Sequence, residues 1–262
     1  MRTVARASLP ALVLLALCGT LQTRGAHAAV LFDNGPLLTH PMGGCGGGDL
    51  SAAQDTTVGL TTRGLNHSLS GGYRVADDFT VDAPGWQLQQ IQLFAYQGNS
   101  TTTSSPITAV NYQIWNGSPD DPGSAVVCGD TTTNRLSSTD WTGMYRALLS
   151  EAATDCTRPL MIDVVDASGC SLPPGTYWLD WQTDGDSVTL TGPWAPPVSI
   201  LDQNPLGNAL QQVTGAWQPA LDATLQTPLD FPFVIEGTPL SNEIFLDGFE
   251  SGDTSAWSVV VP

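Results

Sequence analysis

The chain contains no lysine, so its positive charge rests on eight arginines against 25 aspartates and glutamates, a net charge of −17. Without lysine there is no P-loop, no Schiff-base amine and no Ser-Lys dyad. Histidine is nearly as scarce. Beyond residue 28 only His40 and His67 occur, both near the N-terminus in loop-like sequence. A G-x-S-x-G elbow is missing, so a catalytic serine has little to rest on. No C-x-x-C pair occurs, which removes the usual zinc spacing. Long apolar runs are also missing, apart from Leu9 to Leu17. That run follows Arg2 and Arg6 and precedes the small-x-small site Ala26-His27-Ala28, the pattern of a cleaved export signal over residues 1–28. It is too short for a transmembrane anchor. Lipidation at Cys18 would want a small residue before it, and Leu17 is not small.

These absences place the protein outside the cytoplasm, secreted or at the cell surface, with the periplasm as the alternative. After cleavage five arginines face 25 acids, for a charge of −20. Such a surface repels nucleic acid and anionic lipid, because both are bound by cations set against phosphates. Oligomeric state has no signature in the sequence.

Four cysteines remain after the signal: Cys45, Cys128, Cys156 and Cys170. An even number in an exported chain reads as two disulfides, and four cysteines allow three connectivities. If segments 125–128, 141–149 and 158–165 run up, down and up, Cys128 and Cys170 share one end of a sheet and Cys156 lies at the other. That favours Cys128–Cys170 with Cys45–Cys156, the other two connectivities staying open.

What fills the rest is alternation. Period-two stretches are expected as strands at 73–81, 88–96, 110–115, 125–128, 144–149, 160–165, 176–182, 187–191 and 231–236. Asn116-Gly117, Asp121-Pro122-Gly123 and Pro173-Pro174-Gly175 are turn signals between them, and Gly185-Asp186-Ser187 reads as a hairpin turn. The runs 43–48 and 99–105 read as flexible loops. Many short strands without helical periodicity predict an all-β, antiparallel β-sandwich, jelly-roll-like, over residues 29–239.

The alternation also sorts faces. Tyr177, Leu179 and Trp181 share one face of their strand, and Trp178, Asp180 and Gln182 the other. Val110, Tyr112 and Ile114 oppose Asn111, Gln113 and Trp115. Ile91, Leu93 and Ala95 point inward, leaving Gln90, Gln92, Phe94 and Tyr96 outward. Rings among amides and carboxylates suit sugars, whose C–H faces stack while hydroxyls meet polar groups. Trp115, Trp178, Asp180 and Gln182 are the candidate ligand-binding residues. The competing expectation is that the rings are core, since tryptophan is usually well buried. Asp77 and Asp78 are adjacent on one strand and point to opposite faces, which spoils them as a catalytic pair.

The segments Tyr112-Gln-Ile-Trp-Asn-Gly117, Gly129-Asp-Thr-Thr-Thr-Asn-Arg135, Leu172-Pro-Pro-Gly-Thr-Tyr-Trp178 and Gly192-Pro-Trp-Ala-Pro-Pro-Val198 resemble a domain recurring in secreted and surface bacterial proteins. The resemblance covers about 73–238. It implies an exported β-sandwich and carries no established activity. The tail 240–262 is separate in character: Ile244-Phe-Leu-Asp-Gly-Phe-Glu-Ser-Gly-Asp253 resembles a terminal motif of exported Gram-negative proteins. It reads either as a sorting tag or as a docked strand carrying Phe245, Phe249 and Trp257. Asp247, Glu250 and Asp253 could gather on Ca²⁺, though not as an EF-hand.

The expectation for function is a non-catalytic module that binds a glycan or a surface protein. The alternatives are a glycosidase-like hydrolase whose two carboxyls come from separate loops, and a structural surface protein.

Overall fold

The structure, a computed structural model, describes residues 28–240. The export segment up to residue 27 and the acidic tail motif at 244–253 lie outside the described residues.

Short alternating stretches can bury their apolar faces only by pairing into sheets that pack on one another. Fifteen strands do so among the described residues. The first five are β1 (Ala29–Asp33), β2 (Asp49–Ala53), β3 (Leu65–Asn66), β4 (Arg74–Val81) and β5 (Trp86–Gly98). Next come β6 (Ile107–Trp115), β7 (Val126–Asp130), β8 (Leu136–Leu148), β9 (Pro159–Asp166) and β10 (Ser171–Leu172). The last are β11 (Gly175–Gly185), β12 (Thr191–Ala195), β13 (Leu210–Val213), β14 (Ala216–Pro219) and β15 (Phe233–Pro239).

The larger sheet runs β1-β15-β5-β9-β8-β2. Short strands extend it at both ends of β5: β10 beside Trp86 and Gln87, and β12 beside Tyr96 and Gly98 with β3 outside it. The smaller sheet runs β14-β13-β4-β11-β6-β7. Their facing sides form the main core, an all-β sandwich. Tyr177, Leu179 and Trp181 point into it from β11, Val110, Tyr112 and Ile114 from β6, and Ile91, Leu93 and Ala95 from β5. All three inward faces follow the period-two expectation. Trp181 meets Phe231 and Phe233 edge-on, with ring centroids 5.9 and 6.0 Å apart. Edge-to-face contact of this kind adds to the area each ring buries.

Asp77 points inward and Asp78 outward, as alternation requires. Asp77 is fully buried, and its carboxylate accepts hydrogen bonds from Asn34 Nδ2 (2.8 Å), Phe231 N (2.7 Å) and Asp78 N (2.9 Å). A buried acid without such donors would be costly.

The disulfides are Cys45–Cys156 and Cys128–Cys170, with Cα atoms 5.2 and 5.9 Å apart. This is the connectivity favoured by the strand directions. The glycine run at 43–48 departs from a plain loop: it folds a single 3-10 turn at Cys45–Gly47, stapled by Cys45. Gly46 and Gly47 there have φ of 61° and 83°, a left-handed conformation that glycine enters without strain.

Two further expectations are corrected. Residues 187–190 form a turn, and the strand begins only at Thr191. The cause is Asp186, whose carboxylate accepts the amides of Val188 and Thr189 at 2.9 Å each and so curls the chain. The sandwich is also not wholly antiparallel. β2 lies parallel to β8, with Asp49–Ala53 alongside Met144–Leu148. A parallel pair needs a long crossover, and the chain between these two strands supplies it.

Candidate functional site

The outer face of the smaller sheet carries the four expected residues, and the structure brings them together. Trp178 on β11 stands opposite Trp115 on β6. Asp180 and Gln182 follow on the same face, two residues apart. The face closes over itself. Asp180 has no exposure and Trp178 has 8%. Arg74, whose side chain is 6% exposed, forms an ion pair with Asp180. Its Nη1 donates to Asn111 Oδ1 at 2.7 Å and to Gln182 Oε1 at 3.2 Å. Trp115 Nε1 donates to Asp180 Oδ2 at 2.6 Å, and Gln182 Nε2 donates to the Tyr73 carbonyl at 3.0 Å. Trp178 packs with Ala76 and Leu210, flanked by the partly buried Trp115 and Trp217. Arg74 is the member that sequence reasoning missed. Its signal was present, because alternation along β4 sets it on the face of Ala76, opposite Val75.

An open concavity among the described residues lies elsewhere. A cleft of about 880 Å³ lies where the end of β5, β12 and β3 meet the β13–β14 hairpin. One wall is a cross-strand row. Asn66 pairs with Trp194, and Trp194 pairs with Tyr96. Side chains of directly opposed residues lie on one face, so a tryptophan, a tyrosine and an amide stand side by side. Gly64 makes room for them: a Cβ there would lie 2.8 Å from the Tyr96 hydroxyl and 3.0 Å from Trp194 Cβ. Tyr73, Gln211, Gln218 and Gln226 line the cleft as well. Gln211 Nε2 donates to the Asn66 carbonyl at 2.7 Å and ties the hairpin to β3.

Arg63 and Arg158 line the remaining side. Arg146 lies beneath, 2% exposed, and donates to the carbonyls of Arg63 (2.7 Å) and Thr62 (3.0 Å) and to the hydroxyls of Ser51 (2.9 Å) and Ser199 (2.7 Å). Burial pulls its guanidinium down to about 10, which leaves it charged at neutral pH. The Tyr96 phenol is pushed up to about 12 by burial, against the pull of Arg146, Arg158 and Arg63. Asp222 fixes the floor, its Oδ2 accepting from the amides of Thr61 (3.0 Å) and Thr62 (2.9 Å). Burial raises the Asp222 carboxyl, but backbone donors at Leu225, Thr62, Thr224 and Thr61 outweigh it and hold the group below its usual range.

Of the residues expected outward on β5, Tyr96 is the one that reaches this cleft. Trp194 lies within the Gly192–Val198 motif. Among the described residues, no group of three or more His, Cys, Asp or Glu could hold a metal ion. No helix among them is long and apolar enough to cross a membrane. Comparison with known proteins finds no matching family model, no matching curated protein and no matching solved structure, so the cleft is read on its own chemistry.

Proposed function

We propose that the protein is an exported, non-catalytic module that binds an extracellular saccharide in this cleft. The observation that carries the reading is the row Asn66–Trp194–Tyr96, which lines one open concavity together with the amides of Gln211, Gln218 and Gln226. Trp194, partly buried, offers flat apolar surface to sugar C–H faces with Tyr96, 3% exposed, packed behind it, and amides offer donors and acceptors to hydroxyls. Pockets that fix a ligand with a few polar groups among apolar walls are the common form of binding site. The outer face with Trp115 and Trp178 is less suited, because Asp180, Gln182 and Arg74 spend their hydrogen bonds on one another.

Binding is favoured over hydrolysis by the lining. No aspartate or glutamate lines the cleft among the described residues, whereas a glycosidase sets two carboxyls about 5–10 Å apart across the scissile bond. The two disulfides support work in an oxidising compartment.

A glycan array probed with the protein lacking residues 1–28, followed by analysis of the bound saccharide, tests both parts. The reading expects retention of a defined saccharide class with its chain length unchanged. Release of shortened products would make the protein a hydrolase, and an array without signal would remove the saccharide reading.

A further inference from the structure

We propose, resting on the saccharide reading above, that the ligand is an acidic saccharide whose carboxylate is received by Arg63 and Arg158, as in a hexuronate oligomer.

Charge distribution is the first ground. The chain carries 25 acids, and five arginines lie among the described residues. Three of those five, Arg63, Arg146 and Arg158, converge on Tyr96 at one side of the cleft. Two of them, Arg63 and Arg158, line the cleft, each with one carboxylate beside it, Glu151 and Asp155. In a molecule of this charge, an anionic ligand meets repulsion nearly everywhere else.

Hydrogen-bond geometry is the second. Arg63 Nη2 pairs with Glu151 Oε2 at 2.6 Å, and Arg158 Nη1 pairs with Asp155. Each guanidinium donates to its carboxylate through a single nitrogen, and neither makes the two-pronged fork of a strong arginine–carboxylate pair. Glu151 is 47% exposed and Arg63 27%, so exchange of partners at that pair costs little, whereas Asp155 is 9% exposed and stays on Arg158, which spends only Nη1 on it. Glu151 and Asp155 belong to the segment stapled by Cys45–Cys156, which fixes the backbone that presents them to the two arginines.

Arg146 is the third. It is buried under the chain at Thr62 and Arg63, and its guanidinium donates only to carbonyls and hydroxyls. Its positive potential reaches the floor above it, offset in part by the Asp222 carboxylate.

Hexuronate and neutral-sugar recognition differ in one group, which permits a test on the unaltered protein. Titration calorimetry would compare galacturonate, glucuronate and mannuronate oligomers with their carboxyl-reduced counterparts, which keep the ring and lose the charge. At least one acidic oligomer should bind more tightly than its reduced form by about tenfold, the factor expected of one charge-assisted hydrogen bond. That margin should shrink when NaCl is raised from about 50 to about 500 mM. Arg63→Gln with Arg158→Gln should remove the margin, so that acidic and reduced oligomers bind the double variant alike, and Trp194→Ala should weaken both oligomers. Equal binding of acidic and reduced oligomers would overturn this inference and leave the saccharide reading standing. Binding of none of them, with a neutral glycan retained on the array, would do the same. Failure of every saccharide, on the array and in titration, would overturn both.

Discussion

Trp194 on β12 stands directly across from Tyr96 on β5, so two rings from segments nearly a hundred residues apart share one wall of the cleft. The outer-face cluster and the cleft respond differently to substitution, and the difference is measurable.

Trp178→Ala should act as a core deletion. The ring is 8% exposed and packs on Ala76 and Leu210, so its loss costs about 3–5 kcal/mol. Urea denaturation would read this as a lower midpoint with an unchanged slope. A midpoint matching the wild type would place the ring outside the packed cluster.

Asp180→Ala should cost about 3–5 kcal/mol as well, because it strands the Arg74 guanidinium in a buried site. The double replacement Arg74→Met with Asp180→Leu should recover most of that loss, since two apolar side chains replace a desolvated pair. If the double variant is as unstable as the single one, the hydrogen bonds to Trp115, Asn111 and Gln182 hold the face more than the charges do.

The two disulfides should differ in weight. Cys45–Cys156 closes a separation of 111 residues and Cys128–Cys170 one of 42. Chain entropy assigns them about 4.8 and about 3.9 kcal/mol. Pairwise serine replacement with chemical denaturation would show the larger loss for the longer loop. Alkylation without reductant should label none of the four cysteines.

Stability should fall as pH rises through the acidic half of the scale at one site. Burial raises the Asp163 carboxyl to about 7, against the hydrogen bond from Thr139 Oγ1 at 2.5 Å. A folded-state value above the unfolded one means that the folded form holds its proton more tightly. The stability from the protonated acid is complete below about pH 4 and is lost by about pH 7, with a magnitude on the order of 4 kcal/mol. Asp163→Asn should keep an acceptor for Thr139 and abolish this component. His67 acts in the opposite sense: burial lowers it to about 3, so its contribution is lost as pH falls from about 6.5. The informative quantity is therefore the wild-type minus Asp163→Asn difference against pH, and a flat difference would place the proton elsewhere.

The fold was legible where alternation is long and clean. On β11, β6 and β5 each inward residue could be read from period two, because one-sided burial leaves a one-residue shift no alternative. The disulfide pairing is the one that strand direction weakly favoured, although β7 with Cys128 lies in the smaller sheet and not beside β8 and β9. The strands β3 and β10 are two residues long and β13 and β14 four, too short to show a period. The parallel partner β2 had no signal, since its sequence Asp49-Leu-Ser-Ala-Ala53 alternates weakly. The cleft was hidden for a related reason. Its lining comes from Thr61–Asn66, Tyr73, Tyr96, Arg158, Trp194 and the stretch from Gln211 to Gln226, and no motif joins segments that meet only through tertiary pairing. On the expected face, Trp115, Trp178, Asp180 and Gln182 were placed together by sequence, and burial of the rings stood among the expectations. The burial of Asp180 was not legible, because it depends on Arg74 arriving from a neighbouring strand.

The central claim is that saccharide stacks on Trp194, with the buried Tyr96 ring backing it. Its most direct test is titration of the best-retained array saccharide into wild-type protein, Trp194→Ala and Trp115→Ala. The account predicts that Trp194→Ala weakens binding by about 1–3 kcal/mol, the scale of an aromatic anchor. Trp115→Ala, on the opposite sheet's outer face, should bind as the wild type does. Unchanged affinity in Trp194→Ala together with loss in Trp115→Ala would contradict the account and move the site to the outer face of the smaller sheet.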